Sequence, residues 1–182
     1  MRITYNAPVI LTFTLVATGL NLVGSLTGNA VTDQFFAVYP DMRWTNPIHW
    51  FRLLSHVLGH SDWNHLIGNL TFLLLLGPAL EEKVGSVNLL EMILMTALVT
   101  GLVTVFFLPT GIFGASGIVF MCILLSSYAN AQKGQIPLTF VLVAVLFLGK
   151  EVYSAFAQDH VSQMAHIVGG LCGGTFGFIR SR

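Results

Sequence analysis

The chain has 182 residues, of which 54% are hydrophobic and 9% charged, with a formal net charge of zero. Soluble domains carry about a quarter charged residues, so this composition excludes an ordinary water-covered globule. Without a basic excess it gives no footprint for nucleic acid, and an integral membrane protein of one compact domain, 1–182, remains as the expectation.

An apolar run of about 20 residues crosses a bilayer as a helix. Six such runs predict six spans, at 8–27, 61–79, 87–108, 116–130, 137–156 and 162–179. The expected fold class is therefore all-α, a polytopic membrane bundle of six transmembrane helices. The first run is read as a span rather than a cleaved leader, because one charge precedes it and it is long for a leader's apolar core. Residues 29–60 form a longer connection. Its Trp44 and Trp50 favour the membrane interface, so it is expected along the surface. Breaks marked by Gly, Pro and charge are expected at Pro78 to Ser86, Pro109 to Gly114 and Gln132 to Pro137. Cys122 and Cys172 sit inside apolar runs and read as small buried hydrophobes.

With the N-terminus in the cytoplasm, Arg2, Lys83, Lys133, Arg180 and Arg182 all fall inside. Arg43 and Arg52 fall outside, and Lys150 lies within the fifth span. This asymmetry predicts both termini in the cytoplasm.

The fourth span is short. Fourteen or fifteen residues at about 1.5 Å each reach roughly 21 Å, against a hydrocarbon core of about 30 Å. Anchored at its inner end near Lys133, it ends about 10 Å below the outer surface by the same rise. Ser116 is at that end, and the loop "PTGIFGA" before it must dip into the protein. Irregular backbone at such depth is tolerated only inside protein or beside a wet cavity.

The second span opens "HVLGHSDWNHLIGN", with His56, His60, His65 and Asn69. His65 and Asn69 are four apart and share a helix face. The sixth span carries His166, then Gly169, Gly173 and Gly177 at intervals of four, a strip of small residues that admits a neighbouring helix. Polar groups at such depth are costly and point to function. Spans two, four and six run in the same direction, so Ser116, His65, Asn69 and His166 are expected at a common depth.

That set has a chemical reading. A serine hydroxyl needs an adjacent base to become a nucleophile, and His166 is the candidate base, later protonating the leaving amine. Asn69, His65 and the unpaired N–H groups that begin the fourth helix are candidate oxyanion donors. Gly117 allows close approach of backbone and substrate.

These residues resemble the rhomboid intramembrane serine proteases over nearly the whole chain. The family's Gly-x-Ser-x stands here as Gly114-Ala115-Ser116-Gly117. Its second-span pattern stands as His56, His60, His65 and Asn69. Its sixth-span pattern stands as Ala165, His166, Gly169 and Gly173, and its Gly-x3-Glu-x3-Gly as Gly77, Glu81 and Gly85. The resemblance implies a bacterial-type, six-span enzyme of the cell membrane. It implies a Ser116–His166 dyad without a catalytic aspartate, and an oxyanion hole from Asn69, His65 and the Ser116 backbone. Single-span membrane proteins are the implied substrates, with the lipid bilayer as the other partner and no cofactor. There are two departures from the pattern. The family's Trp-Arg pair aligns as Phe51-Arg52, with Arg52 keeping the structural role. Its tyrosine after the serine is Phe120, one helical turn on, still able to stack on His166.

His56 and His60, with His65, have ligand chemistry for a metal, but hydrogen bonding to the first loop is the favoured role and no metal is expected. Glu81 is read as structural, satisfying backbone N–H groups at the inner loop. Asp159 is disfavoured as a third catalytic member, because a loop carboxylate would have to fold back over the site. Lys150 and Glu151 are expected to snorkel. An inactive rhomboid-like protein that binds membrane helices is the alternative function. A transporter should show matching broken helices in two halves, and none is visible. No His-Glu-x-x-His is present for zinc. The soluble-hydrolase Gly-x-Ser-x-Gly is missed at Ile118.

Overall fold

The computed structural model describes residues 3–128, 135–157 and 160–180. Among them the regular structure is helical. In order come α1 (Pro8–Leu26), α2 (Ala30–Phe35), α3 (Pro47–Ser55), a 3-10 turn at His56–Leu58, α4 (Trp63–Val84), α5 (Ser86–Phe107), α6 (Ser116–Tyr128), α7 (Leu138–Ala157) and α8 (His160–Arg180). Each run predicted as a span corresponds to one long helix, and α2, α3 and the 3-10 turn build the connection before α4. By length and composition α1 and α5 are apolar enough to cross a membrane, and α6 is apolar but shorter. Arg2, Lys133, Asp159 and Arg182 lie outside the described residues, as do the side chains of Lys150 and Glu151.

One expected boundary is corrected. The break assigned to Pro78 to Ser86 is confined to Gly85, because α4 continues through Pro78 to Val84. Gly85 has φ of 86°, in the left-handed region that glycine adopts at little cost, and α5 starts at the next residue. Proline removes one N–H from a helix. In an apolar bundle, however, breaking the helix there would strand more backbone groups than continuing it.

α6 occupies the middle. Gly117 through Leu125 and Tyr128 are all buried, so the helix is covered on every side. That explains its hydrophobicity all round, without a polar stripe. α4, α5, α7 and α8 surround it, and α8 packs on it most closely. Cys122 is buried and Cys172 half-buried, and both are free thiols.

α1 is fastened at its N-terminus by Glu81 of α4. Pro8 has no N–H, so Val9 and Ile10 supply the first unpaired donors of the helix. Val9 N–H donates to Glu81 Oε1 (2.9 Å) and Ile10 N–H to Oε2 (3.1 Å). The Ser86 hydroxyl donates to Oε1 (2.7 Å). A carboxylate here also faces the positive end of the α1 dipole. Glu81→Ala is expected to cost about 3 kcal/mol, because it leaves buried N–H groups without acceptors. Thermal unfolding in detergent measures this. Glu81→Gln should recover part of the loss, and an unchanged midpoint for the alanine variant would contradict the clamp.

The connection is tied down by side chain to backbone bonds. Arg52 Nε donates to Gln34 O (2.9 Å), and its guanidinium carbon lies 5.4 Å from the Tyr39 ring centroid. The Ser55 hydroxyl donates to Phe35 O (2.6 Å). Phe51 is half exposed and meets Phe36 edge to face at 5.9 Å.

Candidate active site

The loop between α5 and α6 enters the protein, and its backbone is satisfied there. Val38 and Ile112 exchange two antiparallel bonds, Val38 N–H to Ile112 O (3.0 Å) and Ile112 N–H to Val38 O (2.9 Å). Gly114 N–H donates to His56 O (2.9 Å). Gly114 has φ of 122°, a conformation that side chains rarely adopt. A Cβ at that position would lie 2.8 Å from His65 Nε2. The glycine thus both permits the turn and lets His65 and Asn69 of α4 approach the residues that begin α6.

A cavity of about 590 Å³ opens above this turn. Ser116, His166, His65, Asn69, Gly114, Gly117 and His56 all line it. Ser116 is the first residue of α6 and is half-buried. The N–H groups of a helix's first turn have no intrahelical acceptor, so α6 presents donors on that side. His166 stacks on Phe120, ring centroids 4.4 Å apart and planes 6° from parallel. That contact sets the plane of the imidazole from the next turn of α6.

Glycines bring α6 and α8 together. A Cβ on Gly169 would overlap the Gly117 carbonyl, and one on Gly173 the Met121 carbonyl. Two helix backbones therefore touch directly, which is the close approach that small residues permit. Gly117 itself faces α8, where a Cβ would stand 3.3 Å from Ala165 O.

The histidines before and in α4 have distinct partners. His60 Nδ1 donates to Leu58 O (3.2 Å), so its Nε2 accepts, and it receives Asn69 Nδ2–H at 3.0 Å. Burial pushes the His60 imidazole down to about 4, which keeps it neutral and able to accept. His56 Nδ1 lies 3.1 Å from Arg52 O, and its Nε2 lies 3.2 Å from Thr100 Oγ1 of α5. Among the described residues no group of three or more His, Cys, Asp or Glu side chains is arranged to hold a metal.

Asn69 gives one amide hydrogen to His60 and retains a second. His65 is constrained differently. Asp62 caps α4 by accepting His65 N–H (2.9 Å) and the Ser61 hydroxyl (2.8 Å), and these bonds hold its carboxyl below the usual range. Ser61 Oγ also lies 3.1 Å from His65 Nδ1. With its one proton on Asp62, Ser61 accepts from that ring nitrogen. The neutral His65 ring then carries its proton on Nδ1, and the Nε2 that faces Gly114 is an acceptor.

Sequence reasoning did not single out Thr100 or Ser61. Thr96, Thr100 and Thr104 at intervals of four on α5 form a readable polar stripe, and all three are buried. Nothing local marks Ser61, whose importance depends on where the His65 ring turns.

Residues 47–182 match the Rhomboid domain family model. Rhomboid protease GlpG of Haemophilus influenzae is 27% identical over 135 residues, covering 72% of this chain and 70% of its own length. Rhomboid protease GluP of Bacillus subtilis is 32% identical over 133 residues, covering 70% of this chain and 25% of its own. Rhomboid-like protein 11, chloroplastic, of Arabidopsis thaliana is 28% identical over 140 residues, covering 68% of this chain. The chain spans about half the length of that plant relative. The family match runs from the start of α3 onward and so contains His56 and His60 before α4, His65 and Asn69 within it, the Gly114 turn, Ser116 and His166: the chain belongs to the rhomboid family.

Proposed function

We propose that the protein is an intramembrane serine endopeptidase of six spans, acting through Ser116 and His166 on single-span membrane proteins. The observation that carries this reading is one cavity lined by Ser116, at the start of α6, and by His166, stacked on Phe120. Ser116 Oγ attacks the scissile carbonyl while His166 takes its proton. The negative charge on the carbonyl oxygen is met by the remaining amide hydrogen of Asn69 and by the Ser116 N–H. His166 then protonates the leaving amine, and water releases the acyl group by the reverse sequence. His65 joins the oxyanion hole only when its Nε2 carries a proton. In the neutral ring that requires Ser61 to turn its hydroxyl from Asp62 to Nδ1, so Asn69 carries the larger share. No cofactor or metal enters this scheme. The distribution of Lys and Arg supports cytoplasmic termini, with the cavity opening to the opposite side, and the similarity to bacterial rhomboid proteases favours a bacterial cell membrane.

A serine-directed fluorophosphonate tests the nucleophile without a known substrate. The folded protein in detergent should acquire one adduct, located at Ser116 by peptide mass spectrometry, and His166→Ala should lose it while remaining folded. An unlabelled Ser116 in well-folded protein, or equal labelling in the histidine variant, would overturn the assignment.

Asn69→Ala is expected to slow single-turnover cleavage by about 10², within the range for loss of one oxyanion donor. Substrate binding should change little, because the donor acts when charge develops. Thermal stability of the same preparation separates this from a packing role. An unstable protein with normal chemistry would show Asn69 to be only a bond to His60.

A further inference from the structure

A second cavity, of about 420 Å³, lies in the connection between α1 and α4, with Tyr39, Asp41, Arg43, Asn46, His49 and Arg52 around it. Its size is within the range of small-ligand sites, roughly 300–1,000 Å³. Two arginines face one aspartate there. Arg52 is already engaged with Gln34 O and the Tyr39 ring. Arg43 is engaged through its backbone only. Its N–H donates to His49 Nδ1 (3.0 Å), its carbonyl accepts Asn46 N–H (2.9 Å), and its guanidinium has no hydrogen-bond or ion-pair partner among the described residues. Because His49 Nδ1 accepts, the neutral ring carries its proton on Nε2 and adds another donor. The pocket thus offers an unused planar cation and a ring N–H, and it suits a ligand rich in acceptor oxygens.

The surroundings indicate where such a ligand comes from. Trp44 and Trp50 are each about half exposed, 49% and 51%. Their rings meet edge to face at 5.4 Å, and Trp44 stacks on Phe106 at 6.0 Å. Phe51, next to Trp50 in the chain, and Phe107, whose ring meets Phe106 at 6.4 Å, are also exposed. Indole rings settle at the headgroup level of a bilayer, which puts the neighbouring pocket at the depth of lipid phosphates.

We propose that this pocket binds the phosphodiester of a phospholipid headgroup, with Arg43 as its principal contact. A guanidinium is always charged, and its planar fork matches phosphate oxygens. Asp41 supplies one acceptor in the same pocket, which suits a headgroup carrying hydroxyl or ammonium donors beyond its phosphate. The proposed orientation adds a supporting argument: Arg43 and Arg52 are then the two cations in outward connections, where Lys and Arg are depleted, and both are in this one pocket. Only this outward placement rests on the proposed orientation; binding of the phosphodiester requires neither that orientation nor proteolysis.

The full chain in nonionic detergent is titrated with dihexanoyl phosphatidylglycerol, with dihexanoyl glycerol and with inorganic phosphate, following tryptophan fluorescence from the residues beside the pocket. The phospholipid alone should give a saturable change. Arg43→Gln should weaken its apparent Kd by about tenfold or more, the worth of one charge-assisted bond, and Arg43→Lys by less. The unliganded unfolding midpoint should stay unchanged in both, since the Arg43 side chain is exposed. An equal response to dihexanoyl glycerol would assign the effect to acyl chains, and an equal response to inorganic phosphate to a free-anion site. Either result, the absence of saturation, or an unaltered Kd in Arg43→Gln overturns the proposal.

Discussion

Ser116→Ala is expected to reduce cleavage of a single-span substrate on the order of 10⁴-fold or more, the scale seen when a serine nucleophile is removed. The fold should survive. Ser116 is half-buried at the start of α6 and lines the cavity, so the lost hydroxyl leaves no large void. Alanine is also a good helix former. The measurement pairs single-turnover cleavage in proteoliposomes with thermal unfolding of the same protein, purified from cells lacking other rhomboids. Cleavage near the wild-type rate would remove Ser116 from the mechanism. A collapse of stability would instead make it a structural cap, since serine is also a favoured N-terminal helix residue.

Gly169→Val and Gly173→Val are expected to destabilise the protein by about 3 kcal/mol or more, at or above the upper end of ordinary overpacking. The obstacle is met at the first added atom, because a Cβ at either position falls on a backbone carbonyl of α6. A backbone carbonyl cannot swing aside as a side chain can. Gly169→Ala and Gly173→Ala should therefore already be costly, and valine only somewhat worse. The two sites differ in what they displace. Gly169 meets Gly117, next to Ser116, so its variants should lose activity even where folded protein remains. Gly173 meets Met121, one turn further from the cavity, and its folded fraction should retain more activity. Thermal unfolding and activity per folded molecule distinguish these outcomes. Unchanged stability in both alanine variants would mean that α6 and α8 are not in backbone contact.

The sequence by itself determined where the long helices lie. Each apolar run corresponds to one helix, because run length, punctuation and composition are local quantities and an apolar solvent leaves the backbone little choice but helix. It also determined which residues are out of place. A histidine or asparagine in an apolar run is conspicuous wherever its partners are, and helical spacing was enough to put His65 with Asn69 and to line up Gly169 with Gly173. Pro78 was misread because the local rule for proline ignores the neighbours, and α4 is held on both sides of it, by packing of Gly77 against Ile10 and by Glu81 on the α1 backbone. The tertiary structure alone decided the contacts between distant segments. Glu81 reaches residues 72 and 71 positions away, and Val38 pairs with Ile112. Most consequential for the chemistry, one Asn69 hydrogen goes to His60, and Ser61 with Asp62 selects the His65 tautomer. A spacing can show that two groups share a face. The direction of a single proton depends on every acceptor within about 3 Å, and those acceptors are assembled only when the helices pack.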